Sequence, residues 1–158
     1  MAGTKEQIVA ALVKAFNMEV ETIINYLANS LHIEGVRAEF IKQALATDIQ
    51  GELTHAQQLG NRIKQLGGAI PGSLNLKMEQ ATLQPPGDTT DVVTVIRGVL
   101  QAENDAISHY RSLVKLTDGE DYVTQDLVIT IMGDEEGHRQ QFEGYRSEER
   151  RVGKECRL

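Results

Sequence analysis

The feature that most constrains this chain is a glutamate in the apolar stripe of each of four long helical patterns. Side chains at alternating three- and four-residue spacing share one helix face. On that spacing the first pattern reads Val9, Leu12, Phe16, Glu19, Ile23, Tyr26, Ser30, Ile33. The third reads Val92, Ile96, Val99, Glu103, Ala106, Tyr110, Leu113, and the fourth Thr124, Val128, Ile131, Glu135, His138, Phe142, Tyr145. In the second, Ile41, Leu45, Ile49, Leu59, Ile63 and Leu66 flank Glu52 and His55. No Lys or Arg in these seams is near enough in sequence to be an obvious partner. An unpaired buried carboxylate costs several kcal/mol, and a whole domain is stable by only about 5–15 kcal/mol. Four of them require compensation by positive charge.

The punctuation between the patterns sets their order. Thr4 with Gln7 is a capping-box start, and the first helix runs to about His32. Gly35 separates it from a second run, about Val36 to Leu66, closed by Gly67-Gly68. Ala69 to Asp88 holds all three prolines, Pro71, Pro85 and Pro86, and reads as a long connection with a short helix near Leu76 to Thr82. A third run covers about Thr89 to Thr117, stopped by Asp118-Gly119, and a fourth runs from about Asp121 to Tyr145 or a little beyond. Short, long and short connections predict an all-α four-helix bundle with one crossover between its second and third helices.

Composition removes other classes. The 158 residues suit one domain, and aromatics at 4% with no Trp argue against a β-sandwich. No run of about eighteen apolar residues is present to cross a membrane. Lys5, Glu6 and Lys14 break the apolar start, which does not read as a secretory signal, so the cytoplasm is the default. A net charge of −7 gives no electrostatic footprint for nucleic acid and fits a cation partner better. The single cysteine, Cys156, has no partner for an internal disulfide. It lies in an abruptly basic segment, 146–158, which resembles one reading frame of a common sequencing adapter. That segment is expected to be non-native, leaving 1–145 as the domain.

Two divalent cations carry +4, which balances four carboxylates and leaves two histidines as neutral ligands. In Glu52-Leu-Thr-His55 and Glu135-Glu-Gly-His138 the two donors stand at i and i+3, on one helix face. The halves of the chain repeat, because Tyr26 follows Glu19 by seven residues as Tyr110 follows Glu103. The first two helices therefore look like a copy of the last two about a pseudo-two-fold axis. Carboxylate and imidazole donors without thiolate suit iron, manganese or zinc. The set matches a known bundle pattern for paired iron or manganese: a Glu from each of two helices and Glu-x-x-His from each of the others.

On these residues the chain from Thr4 to Tyr145 resembles the ferritin-like family, and most closely its bacterioferritin branch. Glu19 to Tyr26, Glu52 to His55, Glu103, and Asp134-Glu135-Glu136-Gly-His138 carry the resemblance. It implies two iron ions per subunit, with manganese or zinc as substitutes. Glu52 and Glu135 would bridge both ions, Glu19 and Glu103 would be terminal ligands, and His55 and His138 would hold one ion each. It also implies oxidation of Fe(II) by O2 or H2O2, and a homo-oligomeric cage for iron storage. Leu53 stands where bacterioferritin has its haem methionine, so no haem bound in that way is expected. A longer crossover and the lack of room for a fifth helix lean toward the Dps-like mini-ferritins, which form twelve-subunit shells. Their usual site lies between subunits, whereas this set is complete within one chain.

The neighbouring polar residues have plainer readings. Glu21, Asp105, Asp134 and Glu136 fall off the seams and read as solvated surface, and Asp48 reads as surface ahead of a place beside the metals. His32 and His109 read as ordinary surface or interface histidines. Tyr26 and Tyr110 fit either a hydrogen bond to a ligand, electron donation or plain packing. Gly51, Gly60, Gly133 and Gly137 fit close helix approach or a path to the metals. Two other functions compete with storage: a non-storage di-metal oxidase or peroxidase, and a DNA-protecting mini-ferritin. The second would want a basic arm, and Met1-Ala-Gly-Thr4 supplies none.

Overall fold

Thr4 starts the first helix as its sequence predicts. Its hydroxyl accepts from the Gln7 amide, and the Gln7 side chain accepts from the Thr4 amide. In this computed structural model, which describes residues 3–155, four helices follow: α1 (Lys5–His32), α2 (Glu39–Gln65), α3 (Val92–Thr117) and α4 (Tyr122–Glu155). All regular structure among the described residues is helical. Asp91 caps α3 by accepting from the Thr94 amide, so that helix begins slightly later than the predicted Thr89. Gly67 and Gly119 take φ of 80° and 77° just after α2 and α3, where a left-handed residue ends a helix without a Cβ penalty.

Contacts along the bundle fix the helix directions. Gly3 donates to Leu116 O, His109 Nε2 lies 2.8 Å from Ala11 O, and Tyr26 reaches Glu103. Hence α1 and α3 are antiparallel neighbours. Arg62 donates to Asp121 and Thr124, while His55 meets Asp134, so α2 and α4 are antiparallel too. Each hairpin, α1–α2 and α3–α4, is closed by a short link. The α2–α3 connection therefore travels the length of the bundle, as the loop lengths predict.

The crossover does not contain the short helix expected at Leu76 to Thr82. Two 3-10 turns form at Ser73–Asn75 and Ala81–Leu83, with extended chain between. The reason lies on α1, which buries a second, polar face beneath this segment. Glu21 accepts from the backbone amides of Glu79 and Gln80, at 2.8 and 2.7 Å. Gln80 also donates to Thr22, and Asn29 donates to Leu83 O. A helix over these residues would satisfy those backbone groups internally and forfeit the bonds to α1. Glu21 is thus buried, not solvated as its off-seam position suggested. At Gly98 the crossover touches α3 so closely that a Cβ would stand 2.5 Å from Thr82 O.

The apolar core forms two clusters. One contains Tyr26, Ile33, Leu45, Ile96, Val99 and Phe142, and the other Leu12, Leu59, Ile63, Tyr110, Leu113, Val128 and Ile131. Each draws on all four helices. Between them lies a polar layer made by the seam glutamates. The fourth helix continues beyond Tyr145 to Glu155, and Glu149 pairs with Arg37. Cys156 lies outside the described residues.

Candidate metal centre

All six residues predicted as ligands converge at the waist of the bundle. Glu19, Glu52, His55 and Glu135 each offer a donor atom within 4.8 Å of the others, and so do Glu52, Glu103, Glu135 and His138. The two sets share Glu52 and Glu135. All four glutamates are at most 2% exposed. Among the described residues, the cationic partners within 4.0 Å of these carboxylates are the two histidines, with no lysine or arginine. A hollow of about 10 Å³, lined by the four glutamates and flanking α1 and α3 residues, has room for about one water-sized sphere. A surface hollow of about 890 Å³ between α1, α3 and the crossover touches none of the six residues.

Each histidine turns Nδ1 inward. His55 Nδ1 lies 3.7 Å from Glu19, 3.6 Å from Glu52 and 3.3 Å from Glu135. His138 Nδ1 lies 3.2 Å from Glu52, 3.7 Å from Glu103 and 3.1 Å from Glu135. The tyrosines are exchanged between halves. Tyr26 of α1 donates to Glu103 of α3 at 2.5 Å, and Tyr110 of α3 donates to Glu19 of α1. A hydrogen bond to a carboxyl of the centre is thus present for both tyrosines.

The electrostatics follow from burial without a fixed cation. Burial, then the charge of Glu135, holds the Glu19 and Glu103 carboxyls well above the usual range. For Glu52 and Glu135 burial also pushes upward, but close contacts with neighbouring polar groups outweigh it and keep both below the ordinary value. Those on Glu52 come from Glu19, His138 and His55, and those on Glu135 from His138 and His55. Burial lowers the basicity of both imidazoles, yet the surrounding carboxylates win. His138 is pushed up to about 11, and His55 also rises. Without metal, the layer is balanced by protons.

The donor set fits divalent metal. Glu52 Oε1 and His55 Nδ1 are buried without a hydrogen-bond partner; such atoms are expensive unless something binds them. Oxygen and imidazole donors from four helices suit iron, manganese or zinc.

Two acidic residues read as surface, Asp48 and Glu21, are buried, and a third, Asp134, is exposed as expected but touches the centre. Asp48, favoured as surface, is buried, with one oxygen 3.9 Å from His138 Nε2. Asp134 is exposed, yet it meets His55 Nε2 at 3.0 Å. Glu21 holds the crossover, as described above, and takes no part in the metal layer. The signal for Asp134 was its place immediately before Glu135, on the side facing α2. His32 and His109 are half-buried ties to backbone carbonyls of Pro86 and Ala11. Leu53 is an exposed alkyl side chain on α2. A Cβ on Gly60 would meet Phe16 at 3.6 Å, an ordinary contact, Gly51 faces His138, and Gly133 and Gly137 face open space.

Comparison with known proteins agrees with this architecture. The family model for the ferritin-like domain matches residues 9–152. The DNA protection during starvation protein of Pyrococcus furiosus is 28% identical over 141 residues, covering 87% of this chain and 76% of that protein. Two solved structures share the fold. One is a dodecameric thioferritin, the bacterioferritin-related protein of Bacteroides fragilis. It is 22% identical with a TM-score of 0.85, covering 97% of this chain and 92% of that one. The other is a ferritin-like, diiron-carboxylate protein of Bacillus anthracis str. Ames. It is 23% identical with a TM-score of 0.74, covering 92% of this chain and 99% of that one.

Proposed function

Because the chain belongs to the ferritin-like domain family, we propose that it is a ferroxidase that takes two ferrous ions per subunit as its substrate. The observation that carries this reading is the pair of four-residue donor sets sharing Glu52 and Glu135. On it, Glu52 and Glu135 touch both ions, Glu19 and His55 complete one position, and Glu103 and His138 complete the other. Each ion gives up one electron. The two electrons reduce O2 to H2O2, or H2O2 to two waters, with two protons taken up in either case. The protein fixes the ions side by side, excludes bulk water with its two apolar clusters, and orients Glu103 and Glu19 through Tyr26 and Tyr110.

The oxidised iron is proposed to enter a homo-oligomeric cage for storage and detoxification. The assembly named for the Bacteroides fragilis protein supports this. So does an exposed apolar stripe on α1, Ile24, Leu27 and Leu31, with Phe40 on α2. DNA protection, named for the Pyrococcus protein, is disfavoured by the net charge of −7, since nucleic-acid affinity rests on neutralising phosphates with Lys and Arg. No helix of the described residues is long and apolar enough to cross a membrane, and a cytoplasmic location is proposed.

Iron retained per chain after aerobic Fe(II) loading and gel filtration tests the reading. Tens of irons or more, eluting with a large assembly, support the storage cage. About two per chain, the capacity of one dinuclear site, would leave the centre in place and favour the non-storage oxidase. None would remove the metal reading altogether. Glu52→Ala, which deletes a shared donor, should abolish fast oxidation.

A further inference from the structure

Two hollows meet at the seam between α1 and α3. Near Gly98 the crossover covers that seam so closely that a Cβ would touch Thr82 O. Further along, toward Ala10 and Ser112, the seam lies open as the hollow of about 890 Å³. Behind it is the hollow of about 10 Å³ lined by the four glutamates. Met18 and Ala102 line both, so the same two residues face the metal layer and the outer surface. Met18 is half-buried and immediately precedes Glu19. Its carbonyl accepts from the Gln80 side chain at 3.4 Å, which ties the backbone beneath the crossover. The side chain itself is unbranched and adaptable, ending in a polarizable thioether. Two other methionines differ in place. Met78 on the crossover is 50% exposed, Met132 of α4 packs on an apolar cluster, and neither lines either hollow.

Carboxylates, a threonine hydroxyl and two alanine methyls make up the rest of the small hollow. The Met18 sulfur is the atom there that hydrogen peroxide oxidises directly. Resting on the iron-oxidising reading above, we propose that Met18 is a modification site, converted to its sulfoxide by the hydrogen peroxide made or used at the centre. The sulfur lone pair attacks one peroxide oxygen. An S–O bond forms as the O–O bond breaks, sulfur loses two electrons, and the departing hydroxide takes up a proton to become water. The product is a polar, chiral side chain in place of an apolar one, and sulfoxide reductases can restore it. The inner hollow has room for about one water-sized sphere, so the added oxygen turns into the outer one, where solvent hydrates it. Peroxide leaving by this seam meets a thioether before it meets bulk water, and turnover leaves a reversible mark on the chain.

The test gives the full, metal-free chain Fe(II) in air, with catalase in solution to destroy peroxide that escapes, and scores each methionine by peptide mass spectrometry. One added oxygen should appear on Met18 while Met78 and Met132 keep their native mass. Hydrogen peroxide added to the metal-free chain should reverse the order and modify the exposed Met78 first. The opposite orders separate peroxide of the centre from simple exposure. Glu52→Ala, treated with the same Fe(II), air and catalase, should leave Met18 unmodified. Should the chain oxidise iron with H2O2 alone, one H2O2 per two Fe(II) replaces air and catalase, and Met18 should again precede Met78. Met18 keeping its native mass while iron is oxidised rapidly, or Met78 gaining oxygen as fast as Met18, would overturn the inference and leave the centre standing. No rapid oxidation of iron by either oxidant would overturn the iron-oxidising reading itself.

Discussion

Loading the metal-free protein with Zn(II), a redox-inert stand-in for Fe(II), should release about four protons per chain near pH 7. Burial pushes Glu19 and Glu103 toward the protonated form, and the carboxylates around His55 and His138 favour the charged imidazoles. Glu52 and Glu135 are held low and ionised. The metal-free layer is therefore neutral: two imidazolium charges balance two carboxylates, and two further carboxyls hold their protons. Ligands bind metal deprotonated, so two divalent ions replace four protons without altering the net charge. The sign follows by mass action. Affinity weakens as pH falls, and each released proton contributes about 1.4 kcal/mol per pH unit. The joint constant for two ions should thus change about 10⁴-fold per unit. Calorimetry in buffers of different ionisation enthalpy counts the protons directly. A count near zero would refute the charge balance, showing that the metal-free layer keeps all four carboxylates ionised beside neutral imidazoles.

Tyr26→Phe removes the hydroxyl bonded to Glu103 inside a dry layer. Thermal denaturation of the metal-free variant should show a loss of about 1–3 kcal/mol, and an unchanged midpoint would count against the exchanged-tyrosine account. Asp48 is pushed up to about 6, chiefly by burial, so the folded state binds its proton more tightly than the unfolded chain does. That carboxylate destabilises the fold increasingly as pH rises from about 4 through 6. Asp48→Asn should then raise stability at pH 7 by about 1–2 kcal/mol after allowing for solvent screening, and change little at pH 4; parallel melts at the two pH values decide it. Gly98→Ala forces a Cβ against Thr82 O and Leu83 Cα, and denaturant unfolding should report a loss of about 1–3 kcal/mol.

Periodicity made the bundle legible because an apolar stripe at helical spacing reports which side of a helix is covered. The same stripe exposed Glu19, Glu52, Glu103 and Glu135 as intruders. A seam, however, assumes one covered face per helix. On α1 the crossover covers a second, and its residues are polar, so Glu21 and Asn29 left no apolar trace. The crossover itself read as helix near Leu76 because local propensity knows nothing of the α1 side chains waiting for its amides. Asp48 illustrates another limit: its burial depends on how close α4 comes, which no spacing along α2 records. Seven-residue spacing put Tyr26 on the face of Glu19 but could not reveal that its bond crosses to Glu103.

The exchange of tyrosines between halves has a consequence for how such a chain can vary. Neither two-helix hairpin can complete its own centre, since each hydroxyl serves a carboxyl of the other hairpin. Two identical hairpins could satisfy the same bonds as a symmetric pair, but any change in one would appear in both. Joined by a covalent crossover, the halves are free to diverge one residue at a time. Asp134 on one side and Gly51 on the other are such a divergence, a difference that no pair of identical hairpins could encode.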